Sequence, residues 1–129
     1  MQQNNACKRS VLVIEDDMFL AHAYQLRFES EGIDTAIATT GNEVLPMLQN
    51  EPPGAVVLDL VLPGGMDGFT ILETMKKTIG WTKVPVIVVS NLSQDVNMMR
   101  AKQLGADKYI VKADTRIGDI ISITASHFC

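Results

Sequence analysis

Ala55-Val56-Val57-Leu58-Asp59-Leu60-Val61-Leu62-Pro63-Gly64-Gly65-Met66-Asp67-Gly68 decides how this 129-residue chain folds. Four apolar residues run straight into an aspartate, and the stretch then closes in a cluster of proline, glycine and aspartate. A short apolar run ended by turn-forming residues reads as a buried strand of a parallel sheet, so Asp59 stands at that strand's carboxyl end. Ligands of open α/β sheets bind outside the carboxyl ends of strands. The same pattern occurs upstream, where Val11-Leu12-Val13-Ile14 leads into Glu15-Asp16-Asp17. Carboxylates at the ends of two strands can share one cation.

Further apolar runs lie at 35–38, 84–89 and 109–111, which with 11–14 and 55–58 make five strands. The stretches 17–31, 41–50, 68–79, 93–104 and 115–127 are long enough for helices. Strand and helix thus alternate five times, and each parallel return needs a crossover, almost always right-handed. The expected fold is α/β, a single doubly wound, flavodoxin-like parallel sheet in the order 2-1-3-4-5 with five helices on its two faces. Asp17 is placed to cap the first helix, Phe19, Leu20, Ala23, Tyr24, Leu26 and Arg27 to form its apolar stripe, and Gly32 to end it. Gly105 closes the fourth helix in the same way.

The length suits one compact domain, read as residues 9–129, preceded by a flexible polar arm over 1–8. A net charge of −4 without any Lys/Arg cluster argues against direct nucleic-acid binding, which needs concentrated positive charge. No apolar stretch approaches the ~18 residues of a membrane span, and the polar start carries no cleavage signal; a soluble, cytoplasmic protein is expected. Cys7 and Cys129 lie near opposite ends without metal-ligand spacing and read as incidental thiols of a reducing compartment.

In the order 2-1-3-4-5 the first and third strands are neighbours, so Glu15, Asp16 and Asp59 converge. Three carboxylates so close repel one another, and a hard divalent cation such as Mg²⁺ relieves the repulsion while accepting waters and a phosphate oxygen. Ser90 follows the fourth apolar run and Lys112 the fifth, at the same edge of the sheet. A hydroxyl and an ammonium are suited to the equatorial oxygens of a phosphoryl group, and Asp59 to the nucleophile that forms an acyl phosphate. Each residue alone has a plainer explanation: Asp17 as a helix cap, Ser90 as a turn residue, Lys112 as a solvated charge, Asp67-Gly68 as an ordinary turn. Their shared position at strand ends sets them apart.

From Arg9 to about His127 the pattern resembles the receiver domain of two-component response regulators. The matching elements are Val11 through Asp17, Val56 through Pro63, Met66-Asp67-Gly68, Ile87-Val88-Val89-Ser90 and Gly105 through Lys112. The resemblance implies a phosphoacceptor at Asp59 and a Mg²⁺ (or Mn²⁺) ion held by Asp16, Asp59 and the Val61 main-chain carbonyl, with Glu15 acting through water. It implies that Ser90 and Lys112 bind the phosphoryl group, and that Tyr109 is the aromatic that turns inward as Ser90 moves toward it. The alternative for Tyr109 is an aromatic on the sheet edge with its hydroxyl in water. Catalysis on other molecules is not implied, only self-phosphorylation from a donor and slow loss of the group. The implied partners are a histidine kinase or histidine phosphotransfer protein and a downstream target docking on the face of the fourth helix, fifth strand and fifth helix. Met98 and Met99 lie on that fourth helix, one available for binding and at least one expected to fill core.

Two departures stand out. Lys112 is followed by Ala113 where the family usually has a cis-linked proline; a cis bond before a non-proline residue costs roughly 3 to 4 kcal/mol, so a trans bond and a rebuilt loop are expected. The loop after Asp59 carries an additional glycine, expected to be absorbed locally. Val61 and Leu92, two residues after Asp59 and Ser90, are apolar and cannot hydrogen-bond an attacking water, which points to a long-lived phosphoaspartate. Competing with the switch is a pseudo-receiver that works by protein contacts without phosphorylation. An aspartyl phosphatase would want a general acid at position 61, where valine stands.

Overall fold

The computed structural model describes residues 8–128. Cys7, Cys129 and the first seven residues of the expected arm lie outside the described residues. Lys8 is tied to the body, its ammonium 3.1 Å from Glu51 Oε1 and donating to the Pro52 carbonyl at 3.3 Å.

The chain alternates as expected: β1 (Ser10–Ile14), α1 (Met18–Ser30), β2 (Asp34–Ala38), α2 (Gly41–Met47), β3 (Ala55–Leu58), α3 (Gly68–Lys77), β4 (Val86–Ser90), α4 (Asp95–Gln103), β5 (Lys108–Val111) and α5 (Ile117–Ala125). All pairings are parallel and the sheet order is β2-β1-β3-β4-β5. Register aligns Ile14 with Leu58 and Leu58 with Val88, so the ends of the central strands stand level. Because side chains alternate across a strand, Leu12, Ile14, Val56, Leu58, Val86 and Val88 enter one core with Phe69, Leu72 and Met75 of α3. Val11, Val13, Val57, Ile87 and Val89 enter the other with Tyr24 and Phe28 of α1 and Ile120 and Ile121 of α5. Strands covered on both faces must be apolar throughout, which is why the runs read so plainly in the sequence.

The expected stripe of α1 is half right: Tyr24 is buried and Leu20 packs against the core, but Phe19, Leu26 and Arg27 face solvent. Phe19 and Leu26 are 92% and 71% exposed, while Ala21, Tyr24 and Phe28 are buried. Asp17 does cap the helix, its Oδ1 accepting the Leu20 N–H at 3.2 Å, and the spacing of 21, 24 and 28 is the face that this start turns toward the sheet. Gly32 and Gly105 end α1 and α4 with φ of +77° and +109°. Helix α2 stops at Met47 where 41–50 was expected, as Gln49 and Asn50 bond back three residues. Met99 is exposed and Met98 only half-buried, so neither fills a core.

Around the site the chain is held tightly. Gly64 and Gly65 both take positive φ and absorb the longer loop. At Gly68 a Cβ would lie 2.5 Å from the Asp59 carbonyl oxygen and from Leu60 Cα, so only glycine lets α3 start there. Every peptide bond among the described residues is trans, that before Ala113 included. The rebuilt loop is a 3₁₀ turn, Lys112–Asp114, inserted between β5 and α5.

Candidate functional site

The carboxyl ends of β1, β3, β4 and β5 carry Glu15, Asp59, Ser90 and Lys112. Glu15 and Asp59 are buried although charged, their backbones continuing the sheet through Glu15 N–H to Ala38 and Asp59 N–H to Ile14. Lys112 crosses between them: its Nζ donates to Glu15 Oε1 at 2.7 Å and to Asp59 Oδ2 at 3.0 Å. The other oxygens are also engaged, Glu15 Oε2 accepting the Asp17 N–H at 3.0 Å and Asp59 Oδ1 the Val61 N–H at 3.1 Å. Asp16 is exposed at the rim, and one oxygen from each of Glu15, Asp16 and Asp59 lies within 4.8 Å of the others.

One ammonium faces three carboxylates, which leaves two charges uncompensated. Burial raises the Glu15 pKa above its ordinary 4.5, and the Asp59 charge adds to it; Lys112 and the Asp17 N–H oppose without cancelling. Burial alone would lower the Lys112 ammonium, but Glu15 and Asp59 together outweigh it and hold the group charged. The unequal outcome for the two partners follows from the charge count. Three hard oxygen donors with surplus negative charge are the donor set of a divalent cation.

Ser90 is fully buried, its Oγ accepting the Leu92 N–H at 3.2 Å. Tyr109 is half-buried against the α3-side core and donates its hydroxyl to the Leu92 carbonyl at 2.6 Å. The ring sits on the edge strand β5, but its hydroxyl is bonded to protein rather than left in water. Burial, with some help from Asp59, raises the phenol above its ordinary value against the influence of the Ser90 hydroxyl. Val61 is 58% exposed beside Asp59.

Tyr24 was legible only as core, yet its buried hydroxyl feels the charges of the site. It lies seven residues, two helical turns, after Asp17, and long helical side chains point back toward the N-terminus. The ring is 1% exposed and the hydroxyl has no partner among the described residues. Burial pushes its pKa up to about 12, modulated by Lys112, Glu15, Asp59 and Asp17. A raised pKa means the native state holds the proton better than the unfolded chain, so this contribution is complete below pH 10 and lost as pH rises through 12. Deleting the unpaired buried hydroxyl is a separate effect, and Tyr24→Phe should gain about 1 kcal/mol at pH 7; lacking the titrating group, its stability should also fall less between pH 10 and 12. Urea titrations at pH 8 and 11 check both; a less stable Phe variant would mean that the hydroxyl is bonded.

Against known proteins, the response regulator receiver domain family matches residues 11–122. The chain is 33% identical over 103 residues to the transcriptional regulatory protein AfsQ1 of Streptomyces coelicolor, covering 80% of this chain and 44% of that protein. It therefore spans less than half the length of that curated relative. Among solved structures, the Francisella response regulator 1452 receiver domain superposes with a TM-score of 0.82 at 29% identity, covering 93% of this chain and 96% of that one. Response regulator Rcp1 in its Mn²⁺-bound form gives 0.77 at 20% identity, over 92% and 90% of the two chains, a likeness that speaks for the fold. No helix among the described residues is long and apolar enough to cross a membrane. A match running through all five strands leaves one placement: the chain belongs to the receiver domains of two-component response regulators.

Proposed function

We propose that this receiver domain takes a phosphoryl group from a phosphohistidine donor onto Asp59 and thereby alters the surface it offers to a partner. The observation that carries the proposal is the Lys112 ammonium seated between Glu15 and Asp59 at 2.7 and 3.0 Å, a cation already in contact with the acceptor. An Asp59 carboxylate oxygen attacks phosphorus, the phosphorus–nitrogen bond of the donor breaks, and the imidazole leaves with the electron pair. Lys112 then exchanges a carboxylate for phosphoryl oxygens, and Ser90 is drawn toward them from the neighbouring strand. Positioning and charge supply most of the acceleration in such transfers.

The donor set fits Mg²⁺ or Mn²⁺, and Rcp1, a neighbour of the same fold, carries Mn²⁺. Asp16, Asp59 and the Val61 carbonyl would hold the ion, with Glu15 acting through water. When bound it supplies positive charge to the oxygens of the transferring group. Apolar Val61 and Leu92 leave no side chain to orient an attacking water, so the phosphoaspartate is long-lived.

The donor is a histidine kinase or a histidine phosphotransfer protein in the cytoplasm. A downstream target docks on α4, β5 and α5, where Met98, Met99, Lys102 and Tyr109 border a cleft of about 460 Å³. Tyr109 links that cleft to Ser90 through Leu92. AfsQ1 is named a transcriptional regulatory protein, and more than half of it lies outside the matched stretch; the absence of nucleic-acid contact is proposed for this domain alone.

Incubation with acetyl phosphate and Mg²⁺ followed by intact mass tests the reading. One phosphoryl adduct is expected, lost with EDTA present and absent from Asp59→Asn. If neither acetyl phosphate nor a phosphohistidine donor gives an adduct and Mg²⁺ does not bind, the domain is a pseudo-receiver.

A further inference from the structure

The loop after β4 grips the loop after β5 through Asn91. Asn91 lies between Ser90 and Leu92, and its Oδ1 accepts the Ala113 N–H at 2.9 Å. The next residue, Leu92, accepts the Tyr109 hydroxyl through its carbonyl. Two consecutive residues therefore hold the β5 segment on both sides of Lys112, at positions 109 and 113.

The Ala113 bond meets a local need. The first N–H groups of a helical turn have no partner within it, and Val111, which precedes the 3₁₀ turn, has no side chain to cap it. Asn91 supplies the acceptor from another strand. Lys112 is the first residue of that turn, so the turn's orientation sets where its side chain starts. From there the ammonium must reach two carboxylates on two other strands. Alanine at 113 provides the N–H that makes the bond; proline there would have none.

We propose that Asn91 is a positioning residue for Lys112: its side chain fixes the turn that aims the ammonium, and it joins that turn to the Ser90 loop so that the two move together. The second half rests on the phosphoacceptor reading. When Ser90 is drawn toward a phosphoryl group on Asp59, the shift reaches the start of α5 through Asn91 and the cleft beside α4 through Leu92 and Tyr109.

The test compares wild type, Asn91→Ala, Ala113→Pro and the double variant. In the unphosphorylated protein, amide exchange at Ala113 is expected to be at least several-fold faster in Asn91→Ala, with exchange in β1 and β3 unchanged. Phosphoryl uptake from acetyl phosphate should slow on the order of 10-fold, the scale for losing a group that orients another, while the urea midpoint stays put. In the Ala113→Pro background, where the donor is gone, Asn91→Ala should change the uptake rate no further. Equal Ala113 exchange in wild type and Asn91→Ala overturns the clamp. An equal rate loss in both backgrounds overturns the link to Lys112. If wild type takes up no phosphoryl group from acetyl phosphate or from a phosphohistidine donor and binds no Mg²⁺, the phosphoacceptor reading has failed, and the exchange comparison still decides the clamp.

Discussion

Lys112→Met is expected to lose about 3 kcal/mol of stability at pH 7 in divalent-free buffer, the cost of removing one partner from a buried ion pair. Methionine keeps the aliphatic stem and deletes only the charge, so packing is largely conserved. What remains is Glu15 and Asp59, both buried, facing each other without the ammonium that bonded both. The pH dependence has a definite sign. Glu15 is raised in the folded state, so its contribution is complete below its ordinary 4.5 and is lost as pH climbs through the raised value. Lys112 opposes that rise, and its removal pushes Glu15 higher and extends the loss toward neutral pH. The deficit of the variant should therefore shrink on acidification below 4.5, and shrink again at pH 7 on adding millimolar Mg²⁺. Lys112 itself titrates above its ordinary 10.5 and adds nothing to this window. Urea titrations of both proteins at pH 4 and 7, with and without Mg²⁺, measure the effect. A deficit indifferent to pH and to Mg²⁺ would mean that the stem, not the charge, supports the fold.

Asp16→Ala should have the opposite profile. Asp16 is exposed at the rim, so its removal should change stability in divalent-free buffer by no more than about 0.5 kcal/mol. Mg²⁺ binding should weaken by about 100-fold or more, beyond the 10-to-100-fold typical of groups that only support a ligand. Because an ion that binds only the folded state stabilises by RT ln(1 + [L]/Kd), the Mg²⁺-induced rise in melting temperature should vanish at concentrations that saturate the wild type. Phosphoryl uptake at those concentrations should fall with it. An undiminished Mg²⁺-induced rise in Asp16→Ala would remove this residue from the cation site.

The strand ends were legible because a strand covered on both faces is a nearly continuous apolar run, and the first polar side chain at or just after that run announces the edge. Glu15, Asp59 and Lys112 came together on that rule and on the sheet order. Helix α1 was harder because its apolar residues are spread around the axis: Phe19 and Leu26 look like core in sequence and lie in water. Its phase is set by the Asp17 cap and the sheet beneath it. The Asn91–Ala113 bond had no sequence signal, since it depends on two loops, 22 positions apart, meeting at one edge. Tyr24 reads as an ordinary core aromatic until its unpartnered hydroxyl is seen.

The glycine at position 68 gives the domain a direction. With α3 pressed against the carbonyl of Asp59 and the Gly68 N–H bonded to the Leu60 carbonyl at 2.9 Å, one flank of the acceptor is an anvil. The other flank keeps the backbone pairing of β3 with β4 and of β4 with β5, but beyond the strand ends it is joined by side-chain bonds that can be exchanged one for another. If Asp59 is the phosphoacceptor, the room for a shift lies on the side of β4 and β5, because the backbone packed around Gly68 has none to yield.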